Sequence, residues 1–324
     1  MIHPIEAERK PGMGLAANAD LLRRTAVWIA LLATLVAMLV VRPALLAPEQ
    51  WPILLRQAAP LGLLAVGQTV LLIGRGFDLS VGGVVGFVNV LAASSIAQTY
   101  GAGGVILLCL LFGLAIGLLN GVMVAQGRIS PLVATLGTGF ILTGAMLIYT
   151  GGAPTGNIPE GIRALSRSRF LGLPYAVYIW LLVSLVVGIA LQRTWFGRYV
   201  YAVGSSPEAA VYSGIRVSAI QIGSYMLSGF CAALGGLLLA GFVGIGTLGV
   251  GQDLVLNSLA AAVIGGTLLR GGVGGVSGTV GGVILLTALS ALLTGAGAGA
   301  AGSLATQGLV LLGAAILFRE MKRG

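Results

Sequence analysis

The sequence predicts an all-α polytopic membrane protein of about ten transmembrane helices, with both termini cytosolic. Three observations predict it: scarce charge, apolar runs of spanning length, and a lopsided placement of Lys and Arg between those runs. Of the 324 residues, 57% are hydrophobic and only 8% charged. A soluble domain carries roughly 25% charged residues, so this chain lacks the side chains to cover a surface facing water. The mean hydropathy of +1.02 agrees. A lipid surface removes the difficulty, because apolar side chains face outward there.

A spanning helix needs about 20 mostly apolar residues. Runs of that kind place helices at 26–41, 53–73, 82–99, 103–125, 131–150, 175–192, 219–242, 252–269, 276–294 and 302–318. Glycine-rich stretches allow some of them to be broken. The chain then divides into a cytosolic tail (1–25), a membrane domain (26–318) and a short cytosolic tail (319–324). The rival reading of residues 1–25, a cleaved signal peptide, needs a shorter leader and a small-residue cleavage site.

Charge tests the topology. With ten helices and a cytosolic N-terminus, thirteen of the 18 Lys and Arg fall inside and five outside, as the positive-inside rule requires. The net charge of +9 is therefore spread singly between apolar runs. It reads as a topology signal and not as a nucleic-acid face. Cys109 and Cys231 sit inside apolar runs, and the single histidine, His3, is in the tail. Metal sites and histidine catalysis are not expected.

Two hydrophilic segments interrupt the pattern: 151–174, expected outside, and 193–218, expected inside. The centre of the second specifies a short helix. Ser206 suits the N-cap, Pro207 the first helical position, and Glu208 the positive end of the dipole. Ala209 and Ala210 favour helix, and Gly214 suits the left-handed residue that ends it. So short a helix is unstable alone, so it must rest on its own membrane domain or on a partner.

Two glycine lines, Gly113–Gly117–Gly121 and Gly274–Gly278–Gly282, have the spacing of helix-contact faces. A faint similarity links 74–93 with 271–294, as in transporters built of two related halves. Polar groups within spans are costly unless paired or facing a cavity. Gln68, Asp78, Ser80, Asn89, Asn120, Thr135, Thr138 and Thr143 are thus candidates for a translocation path or gate, or for helix–helix bonding. Asn120 is expected to end its helix. Asp78 is expected near the cytosolic end of the second and third helices, as a structural acceptor, a gate or a substrate contact, with Ser80 capping the helix after it.

Four stretches carry a resemblance. The run G-S-S-P-E-A-A-V-Y-S-G-I from Gly204 is similar to the EAA-like coupling segment of ribose-type ABC importer permeases. Gly76-Phe77-Asp78-Leu79-Ser80-Val81-Gly82 is similar to the family's G-I-D-L-S-V-G. Asn120-Gly121, then Arg128-Ile129-Ser130-Pro131 and Ala134-Thr135-Leu136-Gly137-Thr138, are similar to its N-G…K/R-I-P-P…V-T-L-G-T. Ala260 to Thr267 reads like its A-A-V-V-I-G-G-T. The chain departs from the family at Arg75, where Gly is common, near Val255, where an acid is common, and at Val273, where Arg is common.

The resemblance implies a permease subunit in a bacterial inner membrane, serving a sugar or sugar-like solute. Its partners would be ABC ATPase subunits, a second permease copy or paralogue, and a periplasmic or lipid-anchored solute-binding protein. Gly204, Pro207, Glu208, Ala209, Ala210 and Gly214 would form the element that couples to the ATPase. Arg163, Arg167 and Arg169 in the outer segment would meet acids on the binding protein, or solvent or lipid headgroups. ATP and Mg would belong to the partner, because this chain has no phosphate-cradling G-x-x-x-x-G-K-[ST] loop. A nucleoside, a branched-chain amino acid or a furanosyl signalling molecule is the alternative cargo. An ion-coupled secondary transporter is the alternative class, but it needs ionisable groups at mid-membrane that this sequence largely lacks. No nucleophile–base pair or paired carboxylates suggest an enzyme.

Overall fold

The computed structural model describes residues 13–154 and 156–297, with positions 302 and 308. In chain order come α1 (Met13–Val41), a short 3-10 turn (Pro43–Leu46), α2 (Trp51–Ile73), α3 (Val81–Ala93), α4 (Ser95–Ala125) and α5 (Pro131–Thr150). Next are α6 (Glu160–Arg167), the strands β1 (Arg169–Phe170) and β2 (Leu173–Pro174), α7 (Tyr175–Arg193), α8 (Trp195–Ser205) and α9 (Pro207–Tyr212). The described chain closes with α10 (Val217–Val243), α11 (Gln252–Ile264) and α12 (Val276–Gly295). The two strands pair antiparallel.

Among the described residues six helices are long and apolar enough to cross a membrane: α2, the part of α4 from Thr99 to Ala125, α5, α7, α10 and α12. Three shorter apolar helices, Thr25–Val41 of α1, α3 and α11, occupy further expected positions. Of the expected helix at 302–318 only positions 302 and 308 are described, both helical, and His3 lies outside the described residues.

Several boundaries need correction. The described part of the expected tail, from Met13, is helical and continuous with α1. The helix expected at 82–99 ends at Ala93. Ser95–Tyr100 instead joins α4, bending at Gly101, whose φ of 67° lies in the left-handed region. The helix expected at 252–269 stops at Ile264, before Gly265 and Gly266. Asn120 does not end a helix, because α4 continues to Ala125. The hydrophilic 193–218 segment holds two helices, α8 and α9, where one was expected.

The helices sort by burial. From Ala58 onward every residue of α2 is buried, and α10 is buried along much of its length. These two form the centre. The outer helices present large apolar residues: on α5, Phe140 is 74% and Ile148 85% exposed. Such a surface suits hydrocarbon and would be an aggregation site in water.

Without a hydrophobic drive between helices in lipid, close backbone contact takes its place. Gly113, Gly117 and Gly121 of α4 lie against Gly229, Tyr225 and Ile222 of α10. A Cβ on Gly113 would overlap the Gly229 carbonyl, and one on Gly117 the Tyr225 carbonyl. The second glycine line packs α12 on α11 in the same way, with Gly278 against Gly265 and Gly282 against Ala261.

Beside the similarity of 74–93 to 271–294 expected from the sequence, the structure shows a likeness in build between 74–93 and 244–264. In each copy a long central helix (α2, α10) gives way to an irregular loop and then a helix of 13 residues (α3, α11). At 1.5 Å per residue each short helix covers about 20 Å, less than the ~30 Å hydrocarbon core. The two meet at their first turns, where Gly82 abuts Gly251, Gln252 and Val255.

Gly117→Val should lower the stability of the chain by about 2 kcal/mol, the usual cost of overpacking. Gly137→Ala, where a Cβ meets nothing within 4 Å, should leave it unchanged. Thermal unfolding in nanodiscs compares the two.

Candidate functional site: a coupling segment and a buried polar network

The α8–α9 segment lies at one end of the bundle, where the end of α8 meets the chain at 73–75 and 271–274. Ser206 caps α9, its Oγ accepting the Ala209 N–H at 3.2 Å, and Pro207 occupies the first turn. At the other end, Gly214 takes φ 76°. The Ile215 N–H then donates to the Ala210 carbonyl at 3.0 Å and the Gly214 N–H to Val211 at 2.9 Å. This paired closure is a Schellman motif. Ala210 turns inward and is 3% exposed. Glu208 and Ala209 face outward, as do Val211 at 60% and Tyr212 at 91% exposure.

Behind α9, three stretches of chain interlock. A Cβ on Gly204 would overlap the Ile73 carbonyl, so glycine is required by close approach. The Gly272 N–H donates to the Ile73 carbonyl at 2.8 Å. Tyr201 Oη donates to the Gly274 carbonyl at 2.8 Å. Arg75 reaches across with Nε on the Gly204 carbonyl at 2.7 Å and Nη2 on the Ser205 carbonyl at 2.8 Å. These are last-turn carbonyls of α8, which lack partners within the helix. A cation there also suits the negative end of the dipole. A cavity of about 370 Å³ opens beside this junction, lined by Trp28, Gln192, Tyr201 and the glycines 265, 266 and 274.

Deeper in the bundle, five candidate polar residues form one network. The Gln68 side chain pairs with the backbone of Asp78, donating to its carbonyl and accepting its N–H at 3.1 Å. Asp78 Oδ1 accepts the Ser80 N–H at 2.9 Å and the Ser80 Oγ–H at 2.6 Å. Its Oδ2 accepts from Ser228 Oγ at 3.2 Å. Asn120 Nδ2 donates to Ser80 Oγ at 2.8 Å, and Thr138 Oγ1 donates to Asn120 Oδ1 at 2.7 Å. All six residues are buried. Ser80 occupies the N-cap position of α3 without capping it, because its hydroxyl serves Asp78 instead. Ser228 lies 11 residues into α10, about 16 Å at the α-helical rise. The loop after α2 therefore carries Asp78 into the bundle, beside the start of α3 and deeper than the start of α10.

The other candidates lie apart. Asn89 joins α3 to the loop after α10, accepting the Thr247 N–H at 2.8 Å and donating to Ile245 at 3.3 Å. Thr135 and Thr143 bond carbonyls of their own helix. Thr143 also lines a cavity of about 250 Å³ where the first turns of α3 and α11 face α5, bordered by Leu79, Gly83, Gly139 and Val255.

At the opposite end of the bundle, α6 covers the end of α10, and the hairpin lies beside it against α2 and α7. Arg167 Nη2 donates to the Phe242 carbonyl at 3.0 Å. Arg163 pairs with Glu160 at 3.5 Å, and Arg169 begins β1, exposed. Arg56 of α2 joins them, its guanidinium 4.7 Å above the Phe242 ring.

Sequence reasoning missed Arg56, Tyr212 and Ser228, and it marked Arg75 as a departure from the family without its bonds to α8. Arg56 carried a usable signal, since a cation inside an apolar run needs a partner. Nothing local marks Ser228, because its acceptor is 150 residues away. Among the described residues no group of His, Cys, Asp and Glu side chains is placed to hold a metal.

A multi-pass helical bundle with half-length helices, a buried polar network and a capped helix projecting from one end has the build of a membrane transport permease. The family described as branched-chain amino acid transport system, permease component, matches residues 53–318. The chain belongs to this permease family. It is 32% identical over 226 residues to a ribose import permease of Bacillus subtilis, covering 69% of this chain and 70% of the relative. An autoinducer 2 import system permease of Salmonella typhimurium is 35% identical over 201 residues, 62% of this chain and 58% of that one. A galactose/methyl galactoside import permease of Haemophilus influenzae is 32% identical over 263 residues, 75% of this chain and 78% of the relative. No solved structure matches the chain.

Asp78→Ala should cost about 3 kcal/mol, because three buried donors lose their acceptor. Asp78→Asn should cost about 1 kcal/mol, since Ser228 can turn to accept from the new amide. Unfolding by denaturant in mixed micelles distinguishes them.

Proposed function

We propose that this chain is the membrane subunit of an ATP-binding-cassette importer for a sugar or sugar-like solute. It would work in a bacterial inner membrane with ten spans and both ends cytosolic. Two permeases, this chain with itself or with a paralogue, would frame the path, and separate ATPase subunits would supply the energy. The observation that carries the proposal is α9: a helix capped at both ends, anchored through Ala210, with Glu208, Val211 and Tyr212 outward. An exposed aromatic on a rigid projection is the kind of group that anchors an interface. The named relatives, permeases for ribose, autoinducer 2 and galactosides, support a small polyhydroxylated cargo.

The α6 end would receive the solute-binding protein. Arg163, Arg167 and Arg169 would pair there with acids on that protein. The Asp78 network would serve as a gate beneath a path whose wall includes Thr143. ATP and Mg would bind to the ATPase alone.

The test is co-purification of the ATPase with tagged chain. Wild type should retain it, and Glu208→Arg should lose it. Tyr212→Ala should weaken docking by about 2 kcal/mol, roughly 30-fold. Failure of wild type to retain any ATPase in a mild detergent would overturn the proposal. Separately, reversing Arg163 and Arg167 to Glu should abolish stimulation of ATP hydrolysis by the binding protein while leaving ATPase docking intact.

A further inference from the structure

We infer that Arg75 is the positioning residue that carries movement of the α8–α9 segment to the buried Asp78 network. The inference rests on the reading of α9 as the ATPase-docking helix.

Arg75 stands between the two features. Its backbone lies in the loop that leaves α2, three residues before Asp78, and its side chain holds the last carbonyls of α8 by two hydrogen bonds. Its φ is 65°, a left-handed conformation that most side chains adopt only at a cost. Here a long cationic side chain occupies such a position, and its two donors converge on adjacent carbonyls.

The chain between Arg75 and Asp78 is short and fastened. The Gly76 N–H donates to the Leu71 carbonyl at 2.8 Å. Tyr225 Oη donates to the Phe77 carbonyl at 3.2 Å. Asp78 then meets Gln68, Ser80 and Ser228. No slack separates the guanidinium from the network. A shift of α8 relative to α2 therefore pulls on Arg75 and is delivered to Asp78. Two other hydrogen bonds of the junction fall outside the 75–78 segment: the Gly272 N–H donates to Ile73 and Tyr201 to Gly274.

The experiment uses the full chain with its co-purifying ATPase in nanodiscs. Amide hydrogen exchange is followed in 74–82 and in 195–215, with and without ATP plus vanadate. In wild type, trapping should change exchange in both segments by at least about threefold. In Arg75→Gly, which relieves the left-handed backbone and removes the donors, the 195–215 response should persist while the 74–82 response is lost. Arg75→Lys, with one ammonium in place of a two-donor fork, should keep a reduced response, and it decides the matter if Arg75→Gly does not accumulate. A full 74–82 response in Arg75→Gly, or in Arg75→Lys where that variant decides, overturns the link while leaving the docking helix in place. Absence of a 195–215 response in wild type overturns the docking reading, and the link with it.

Discussion

Every irregular stretch of backbone buried among these helices must find its partners inside the chain. Lipid and apolar side chains offer none, and an unpaired peptide group there costs several kcal/mol. The loop from 74 to 80 shows how the requirement shapes the rest. Gln68 pairs with Asp78 at both backbone groups, much as a neighbouring strand would. That pairing turns the chain inward and sets the start of α3. It also places the Asp78 carboxylate where Ser80 and Ser228 supply it with donors. Ser228 in turn fixes α10 against α2, and the glycine seam of α4 closes on the far side of α10.

The six long apolar helices among the described residues were legible because apolar length is a local signal. The capped helix was legible for the same reason: Ser206, Pro207, Ala209 and Gly214 each state their role within a few residues. Glycine spacing revealed contact faces but not the partner helix, since Gly113 and Gly278 look alike in sequence while one meets α10 and the other α11. The polar candidates are all hydrogen-bonded in the structure. Their grouping was hidden, because Gln68, Asp78, Asn120, Thr138 and Ser228 come together only through the fold. The break between α3 and α4 was obscured by continuous hydrophobicity: Ser94 and Gly101 are too small to interrupt a run. Asn120 misled because asparagine is a poor helix former, and its bonds to Ser80 and Thr138 outweigh that preference.

The arginines divide by surroundings more than by sequence position. At the α6 end, Arg167 and Arg56 are engaged with Phe242 at the close of α10. At the other end, Arg75 performs a similar service for α8. In both places a guanidinium satisfies carbonyls or an aromatic face at a helix terminus, the weakest point of a helix in an apolar setting. Two ends of the bundle are thus stitched by the same chemistry.

The closure of α9 at both ends bears on how fast a partner is met. A loop that folds only on contact slows docking and adds an ordering cost to each cycle. Here the Ser206 cap and the Gly214 turn hold the helix ready before any encounter. Association is then limited by diffusion and orientation, in the usual range of about 10⁵–10⁷ M⁻¹s⁻¹. For a partner docking on α9 as proposed, differences in lifetime would fall instead on the departure step, through outward residues such as Tyr212.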